Sequence, residues 1–162
     1  NGVARFDTGA QTWASLGRGA ANGVSGVVHA IAVSGSSVYV GGDFTQAGGG
    51  SANRVARFDT STQTWSSLGS GVANGVNSVV HALAVSGGSV YIGGDFTQAG
   101  GASANRVARF DTGTHTWATL GSGAANGLNS TVWALAVAGG AVYAGGNFTQ
   151  AGGVPANRVA IR

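Results

Sequence analysis

Few groups in this chain can move a proton or hold an ion. There are five aspartates and three histidines, with no glutamate and no cysteine. His29 and His81 occupy matching points of two near-identical stretches, and Trp133 takes that point in a third. Imidazole is a common metal ligand. Neither histidine has a carboxylate or a further histidine at ligand spacing, so a hydrogen-bonded or channel-lining histidine is the preferred reading and no metal is expected. His115 stands where other copies have Gln11 and Gln63, which suits a polar turn. Asp43 and Asp95 follow Gly-Gly doublets, with Asn147 in the third copy. Calcium takes several oxygen ligands from one compact loop, and a lone Asp beside Phe-Thr-Gln supplies too few. Asp7, Asp59 and Asp111 each precede a threonine and suit turns, where the carboxylate accepts from backbone N–H groups just ahead.

The arginines and tryptophans recur as well. Arg54 and Arg57, then Arg106 and Arg109, repeat a pattern to which Arg5 also belongs. Lined up, their guanidinium groups would form a ring for phosphate, sulfate or carboxylate. The preferred alternative pairs each with a nearby Asp or leaves it solvated. Trp13, Trp65 and Trp117 could stack on sugar rings, as aromatic faces do. A structural duty is preferred, with each one sealing a junction between neighbouring units.

An enzyme is not expected, nor a cofactor. Cysteine nucleophiles, disulfides and zinc-thiolate sites are ruled out by composition. No Ser/His/Asp set sits in a nucleophile-elbow context. A glycosidase needs a carboxylate pair at defined separation, for which only scattered Asp residues are available. The glycine-rich stretches do not lead from strand to helix, so they are not phosphate loops. Asn129-Ser130-Thr131 and Asn147-Phe148-Thr149 satisfy the N-glycosylation rule, which matters only on a eukaryotic secretory route.

Composition narrows the partners. Only 8% of residues are charged, all Arg or Asp, so the net charge of +3 reflects scarcity rather than a basic surface. Nucleic-acid binders carry dense Lys/Arg clusters, and none is present. No run of apolar residues is long enough for a membrane helix. The chain begins with Asn1, as expected of a mature product, an excised piece or an engineered one. A polar surface built from Ser, Thr, Asn and Gln points outside the cell, or to its surface, if the protein is natural.

These residues must be positioned by a repeat. Tyr39, Tyr91 and Tyr143 open almost the same phrase, Tyr-x-Gly-Gly-Asp/Asn-Phe-Thr-Gln-Ala-Gly-Gly, at a spacing of 52 residues. Val3, Val55, Val107 and Val159 keep the same spacing without insertion. Such regularity implies recent duplication or deliberate design, and a period of this size with strand-like content predicts a propeller or array of β units. In the middle copy, 53–59 alternates as a strand, 59–63 turns, and 64–68 is a second strand. After a loop holding Asn74-Gly75, the apolar run 79–85 reads as an inner strand. Ser86-Gly87-Gly88 then turns into 89–92. Glycine totals 31, yet it falls at fixed places and has no three-residue period, which marks ordered turns rather than collagen. Almost no helix is expected.

The order of landmarks resembles the Kelch repeat. An apolar strand (Val79–Val85) precedes one ending in Gly-Gly (Val90–Gly94). An aromatic-Asp strand (Val55–Asp59 or Val107–Asp111) precedes a Trp-bearing one (Trp65 or Trp117). The Gly-Gly-Asp-Phe-Thr-Gln-Ala-Gly-Gly phrase is also similar to glycine-rich propeller repeats of bacterial surface proteins and fungal cell-polarity markers. The resemblance implies four-stranded antiparallel blades, with the tryptophan between them. Kelch-type oxidases use copper beside a Cys–Tyr crosslink, which this chain cannot form.

The expected fold is therefore all-β, with Kelch-like propeller blades in a single module of three repeats. Residues 1–24 supply strands three and four of one blade. Residues 25–76 and 77–128 are whole blades, and 129–162 supply strands one and two plus a second version of strand three. Closed propellers have about 4–8 blades, so about three cannot ring up alone. The expected partner is a second copy, giving a six-bladed homodimer. A homotrimer of nine blades, or a fragment of a longer array, are the alternatives. Whether residues 1–6 or 157–162 take the shared third-strand position is left open by the residues themselves. The expected function is a non-enzymatic scaffold, with a multivalent glycan-binding propeller or an arginine-ring anion binder as alternatives. Nucleic acid and membrane are not expected partners.

Overall fold

The computed structural model describes residues 2–161, so Asn1 and Arg162, the outer residues of the two duplicated ends, lie outside it. No α-helix occurs among the described residues, only three single 3-10 turns at Gly19–Ala21, Gly71–Ala73 and Gly123–Ala125. Strands β1 (Ala4–Asp7) and β2 (Thr12–Ser15) form a two-stranded sheet. The next repeat contributes β3 (Val27–Ser34), β4 (Ser37–Asp43), a small hairpin of β5 (Gln46–Ala47) and β6 (Gly50–Ser51), then β7 (Val55–Asp59) and β8 (Thr64–Ser67). Its sheet runs β3-β4-β7-β8, antiparallel throughout.

The following repeat replays this order with β9 (Val80–Ser86), β10 (Ser89–Gly94), β11 (Gln98–Ala99), β12 (Ala102–Ser103), β13 (Val107–Asp111) and β14 (Thr116–Thr119). These give a second sheet, β9-β10-β13-β14. The last repeat holds β15 (Val132–Ala138), β16 (Ala141–Gly146), β17 (Gln150–Ala151), β18 (Val154–Pro155) and β19 (Val159–Ile161), with sheet order β15-β16-β19. The four strands of each of the two complete sheets are those the alternation predicts. The small hairpins are additional, because two-residue ladders are too short to leave a period in the sequence.

Local chemistry explains the turns. Gly87 and Gly88 both have positive φ (55° and 76°), the conformation that a two-residue hairpin with native twist demands. After β7, Asp59 Oδ1 accepts from the N–H groups of Ser61 (2.9 Å) and Thr62 (3.1 Å). Asp7 and Asp111 do the same one repeat away. The Thr62 N–H first, then that of Ser61, holds the Asp59 carboxyl below its ordinary value.

The sheets stack face to face with β3, β9 and β15 side by side. Val40, Phe58, Val90, Ile92, Phe96 and Phe110 fill the layers between them and are buried. Close approach depends on glycine. Val80 and Leu83 occupy the space a Cβ on Gly41 would take, and Val132 and Leu135 do so at Gly93. Both ends of the stack are open.

Candidate functional site

Each internal junction is sealed in one way. Trp65 Nε1 donates to the Leu16 carbonyl in the preceding sheet at 3.0 Å, its ring lies over Gly48, and Phe58 is 5.1 Å away. Trp117 Nε1 donates to Ala73 O (2.9 Å) and Leu68 O (3.3 Å), over Gly100 and beside Phe110 at 5.1 Å. Trp13 repeats the pairing with Phe6 at 5.1 Å, but it is 72% exposed. Among the described residues no glycine hairpin lies against it as Gly48 and Gly100 lie against its counterparts.

The carboxy-terminal end has the converse defect. A cleft of about 240 Å³ opens there, lined by Leu120, Leu128, Val142, Gly152, Ala160 and Ile161 among others. By the 52-residue spacing, Leu120 corresponds to Leu68 and Gly152 to Gly100, the two residues that receive Trp117. Gly145 corresponds to Gly93 and Gly41, yet a Cβ there would meet nothing nearer than Ala134 Cβ at 3.8 Å. Tyr39 is 4% exposed, Tyr91 half-buried and Tyr143 40% exposed, following the loss of cover toward this end. At the other end Ile31 (51% exposed) and Val33 line a cleft of about 200 Å³ with Val3, Ala14 and Val38. Leu83 and Val85, their counterparts one repeat on, are half-buried under the preceding sheet.

A second group of residues lies along the innermost strands. The ladder slips at His29, His81 and Trp133, so each is an unpaired bulge residue opposite a Gly-Gly doublet. The rings form a column, with centroids 5.4 Å apart for His29–His81 and 4.3 Å for His81–Trp133. His81 Nε2 donates to Asp95 Oδ2 at 2.9 Å, and Thr131 Oγ1 donates to Asp95 Oδ1 at 2.5 Å. Burial pushes the Asp95 carboxyl up. Hydrogen bonds from Thr131 and His81, with the charges of His81 and Arg106, outweigh it and hold the group below its ordinary value. Asp95 sits between Thr131 and His81, so the histidine does not touch the hydroxyl and no nucleophile–base pair exists here. Among the described residues no three metal-ligating side chains converge.

Arg5, Arg54, Arg57 and Arg106 each turn to groups of their own repeat. Arg57 gives Nη2 to Asp59 (2.6 Å) and Nε to Ser37 Oγ (2.7 Å). Arg5 Nη2 lies 3.5 Å from Asp7. Arg54 and Arg106 adopt positive φ (65° each) and turn Nη1 onto the carbonyls of Phe44 and Phe96. Arg54 Nε also lies 3.2 Å from Asp43, as a charge contact without hydrogen-bond alignment. Arg109 lowers Asp111 as a minor influence, behind the Thr114 and Gly113 hydrogen bonds and the opposing effect of burial. His115 stands beside Arg57, Tyr39 and Ser66 at the mouth of a polar cleft between the two complete sheets.

Sequence reasoning finds the recurring side chains but not the bulge, nor the part of Thr131, which reaches Asp95 from the next repeat. Residues 37–61 and 88–113 match the family described as a domain of unknown function (DUF5122) beta-propeller. These segments start at or just before the second strand of each complete sheet and run through the third. A stretch of 52 residues, 31% of the chain, is 48% identical to polarized growth protein rax2 of Schizosaccharomyces pombe (strain 972 / ATCC 24843). The match spans 4% of that protein's length. With the stacked antiparallel sheets, the family match identifies the fold as a β-propeller.

Proposed function

We propose that the chain is a non-enzymatic scaffold of Kelch-like blades whose open arc closes on a second copy of itself. Two half-blades, β1-β2 from one copy and β15-β16 from the other, then complete a four-stranded blade at each of two junctions, and with two whole blades from each copy six blades result. One observation carries this reading. Trp13 is exposed at one end while the other end holds an empty version of the socket that receives Trp65 and Trp117. Val28 and Ile31 of one copy would likewise meet Gly145 of the other, as Val80 and Leu83 meet Gly41. Apolar faces of this kind, left open, favour association. A relative named for polarized growth rather than for a reaction is in keeping with a scaffold.

Light scattering of the intact chain tests the reading, with a mass near twice 15.7 kDa expected. Gly145→Val is the matched control. Its Cβ makes only ordinary contacts within the chain, with Ala134 Cβ at 3.8 Å and Arg158 O at 3.9 Å, but the side chain fills the face that a second copy must approach, so it should give a folded species of single-chain mass. A stable single-chain mass for the unsubstituted protein would remove the ring. A double mass retained by Gly145→Val would move the interface elsewhere.

A further inference from the structure

We infer that residues 157–161 are a placeholder: β19 covers the edge of β16 in the separate chain, and β1 of a second copy displaces it when the ring closes. The inference rests on the ring reading above and specifies which strand makes its seam. Both candidates are versions of the same third strand. Val3 and Val159 are counterparts of Val107, which pairs with Gly93.

Their pairing capacities differ. In the complete sheet, β10 pairs with β13 over five residues, from Ser89↔Asp111 to Gly93↔Val107. Among the described residues, β19 reproduces three of these pairs, Tyr143↔Ile161, Ala144↔Ala160 and Gly145↔Val159. At position 162 it carries arginine in place of the strand's phenylalanine. Strand β1 carries the phenylalanine, as Phe6, followed by the turn aspartate Asp7, and it is already paired with β2 in the register of β13 with β14. It therefore brings the fourth strand and Trp13 with it. Among the described residues the β1 edge away from β2 has no partner, whereas the same edge of β7 and of β13 is paired.

The two strands cannot both remain. Each runs in the same direction relative to β16 and needs the same edge, so a shared blade in the order β15-β16-β1-β2 requires β19 to leave. Residues Val159 and Ile161 are largely exposed, so release of the short strand uncovers little. While β19 is in place it competes with the partner strand, and the apparent affinity falls by the fraction of chains in which the edge is free.

The chain has no cysteine, so engineered pairs are unambiguous. Directly opposed residues in an antiparallel ladder lie within disulfide reach, and Ala144 and Ala160 line the same cleft. Ala144→Cys with Ala160→Cys should therefore lock β19 onto β16 when oxidised. By sedimentation, the locked protein should dimerise at least about tenfold more weakly than its own reduced form. A chain ending at Pro155 should dimerise about tenfold more tightly than the full chain. Ala4→Cys with Ala144→Cys should yield covalent dimers on oxidation, since Ala4 would take the place of Ala160. If the oxidised lock assembles as well as its reduced form, or the shortened chain assembles less well, β19 stays in the seam and the displacement is wrong, while the ring survives. If neither the intact chain nor the reduced lock exceeds the single-chain mass, the ring and the displacement fail together.

Discussion

One residue type meets two fates at matching positions of this chain, decided by what stands opposite each copy. Trp65 combines a packed ring with a hydrogen bond into the preceding sheet. Trp65→Phe should cost about 1 kcal/mol for the lost hydrogen bond, and Trp65→Ala about 3–5 kcal/mol with its cavity, read from urea midpoints. Trp13→Ala should leave the separate chain's stability within about 0.5 kcal/mol, as for other exposed positions, while weakening assembly. The turn aspartates make a different prediction. Asp7, Asp59 and Asp111 have folded-state pKa values below the ordinary carboxylate value, held there chiefly by backbone N–H groups. A depressed carboxyl gives stability that is complete above the unfolded pKa and disappears as pH falls through the folded one. Melting temperature should therefore be flat from neutrality to about pH 5 and fall below about pH 4. Asp59→Asn should reduce that fall, because the amide oxygen still accepts from the turn but no longer titrates. These turns are legible in the sequence because acceptor and donors lie within three residues. The Asp95 site is not, because Thr131 comes from the adjoining repeat and His81 reaches it through a bulge that no spacing announces.

At the scale of elements, the Gly-Gly doublets decide how closely sheets stack. The first glycine of each doublet faces the next sheet and the second faces its own inner strand, where Val27 O, Val79 O and Thr131 O crowd Gly42, Gly94 and Gly146. Gly93→Val would drive two methyl groups into Val132 and Leu135, and overpacking of this kind costs about 1–3 kcal/mol. The same change at Gly145 should cost less than about 0.5 kcal/mol, since its Cβ would meet nothing nearer than Ala134 Cβ at 3.8 Å and valine suits a strand. Parallel chemical denaturation of the two variants checks the contrast; equal losses would mean that exposure does not separate the two sites. The doublets could be read from the repeat, as could the four main strands, whose residues alternate or run apolar for long enough to show a period. The reason for the doublets could not. It depends on which inner strand lies across the gap, and a residue spaced 52 positions from another carries no mark that its neighbour is absent.

For the whole molecule, scarcity of charge sets the character of any assembly. Charged residues make up 8% of the chain, and Arg57 and Arg5 lie beside aspartates of their own strands. The uncovered faces instead present Trp13, Ile31, Val33, Tyr143, Val159 and Ile161. Association through such faces should be driven by burial of apolar area, which salt does not screen. Clasping of anions by arginines would instead weaken steeply as salt rises. Assembly also links stability to concentration, because a partner that binds only the folded chain stabilises it by mass action. Each tenfold increase in protein should add up to about 1.4 kcal/mol, or a few degrees in melting temperature for a chain of this length. Gly145→Val, unable to bring its face against a second copy, should melt at one temperature across the same range. Scanning both proteins at low and high salt separates the cases. A melting point that climbs with concentration and ignores salt, and that stops climbing in Gly145→Val, is the outcome required of a propeller finished by its own duplicate. A climb that salt abolishes would transfer the interface from the open faces to the arginines.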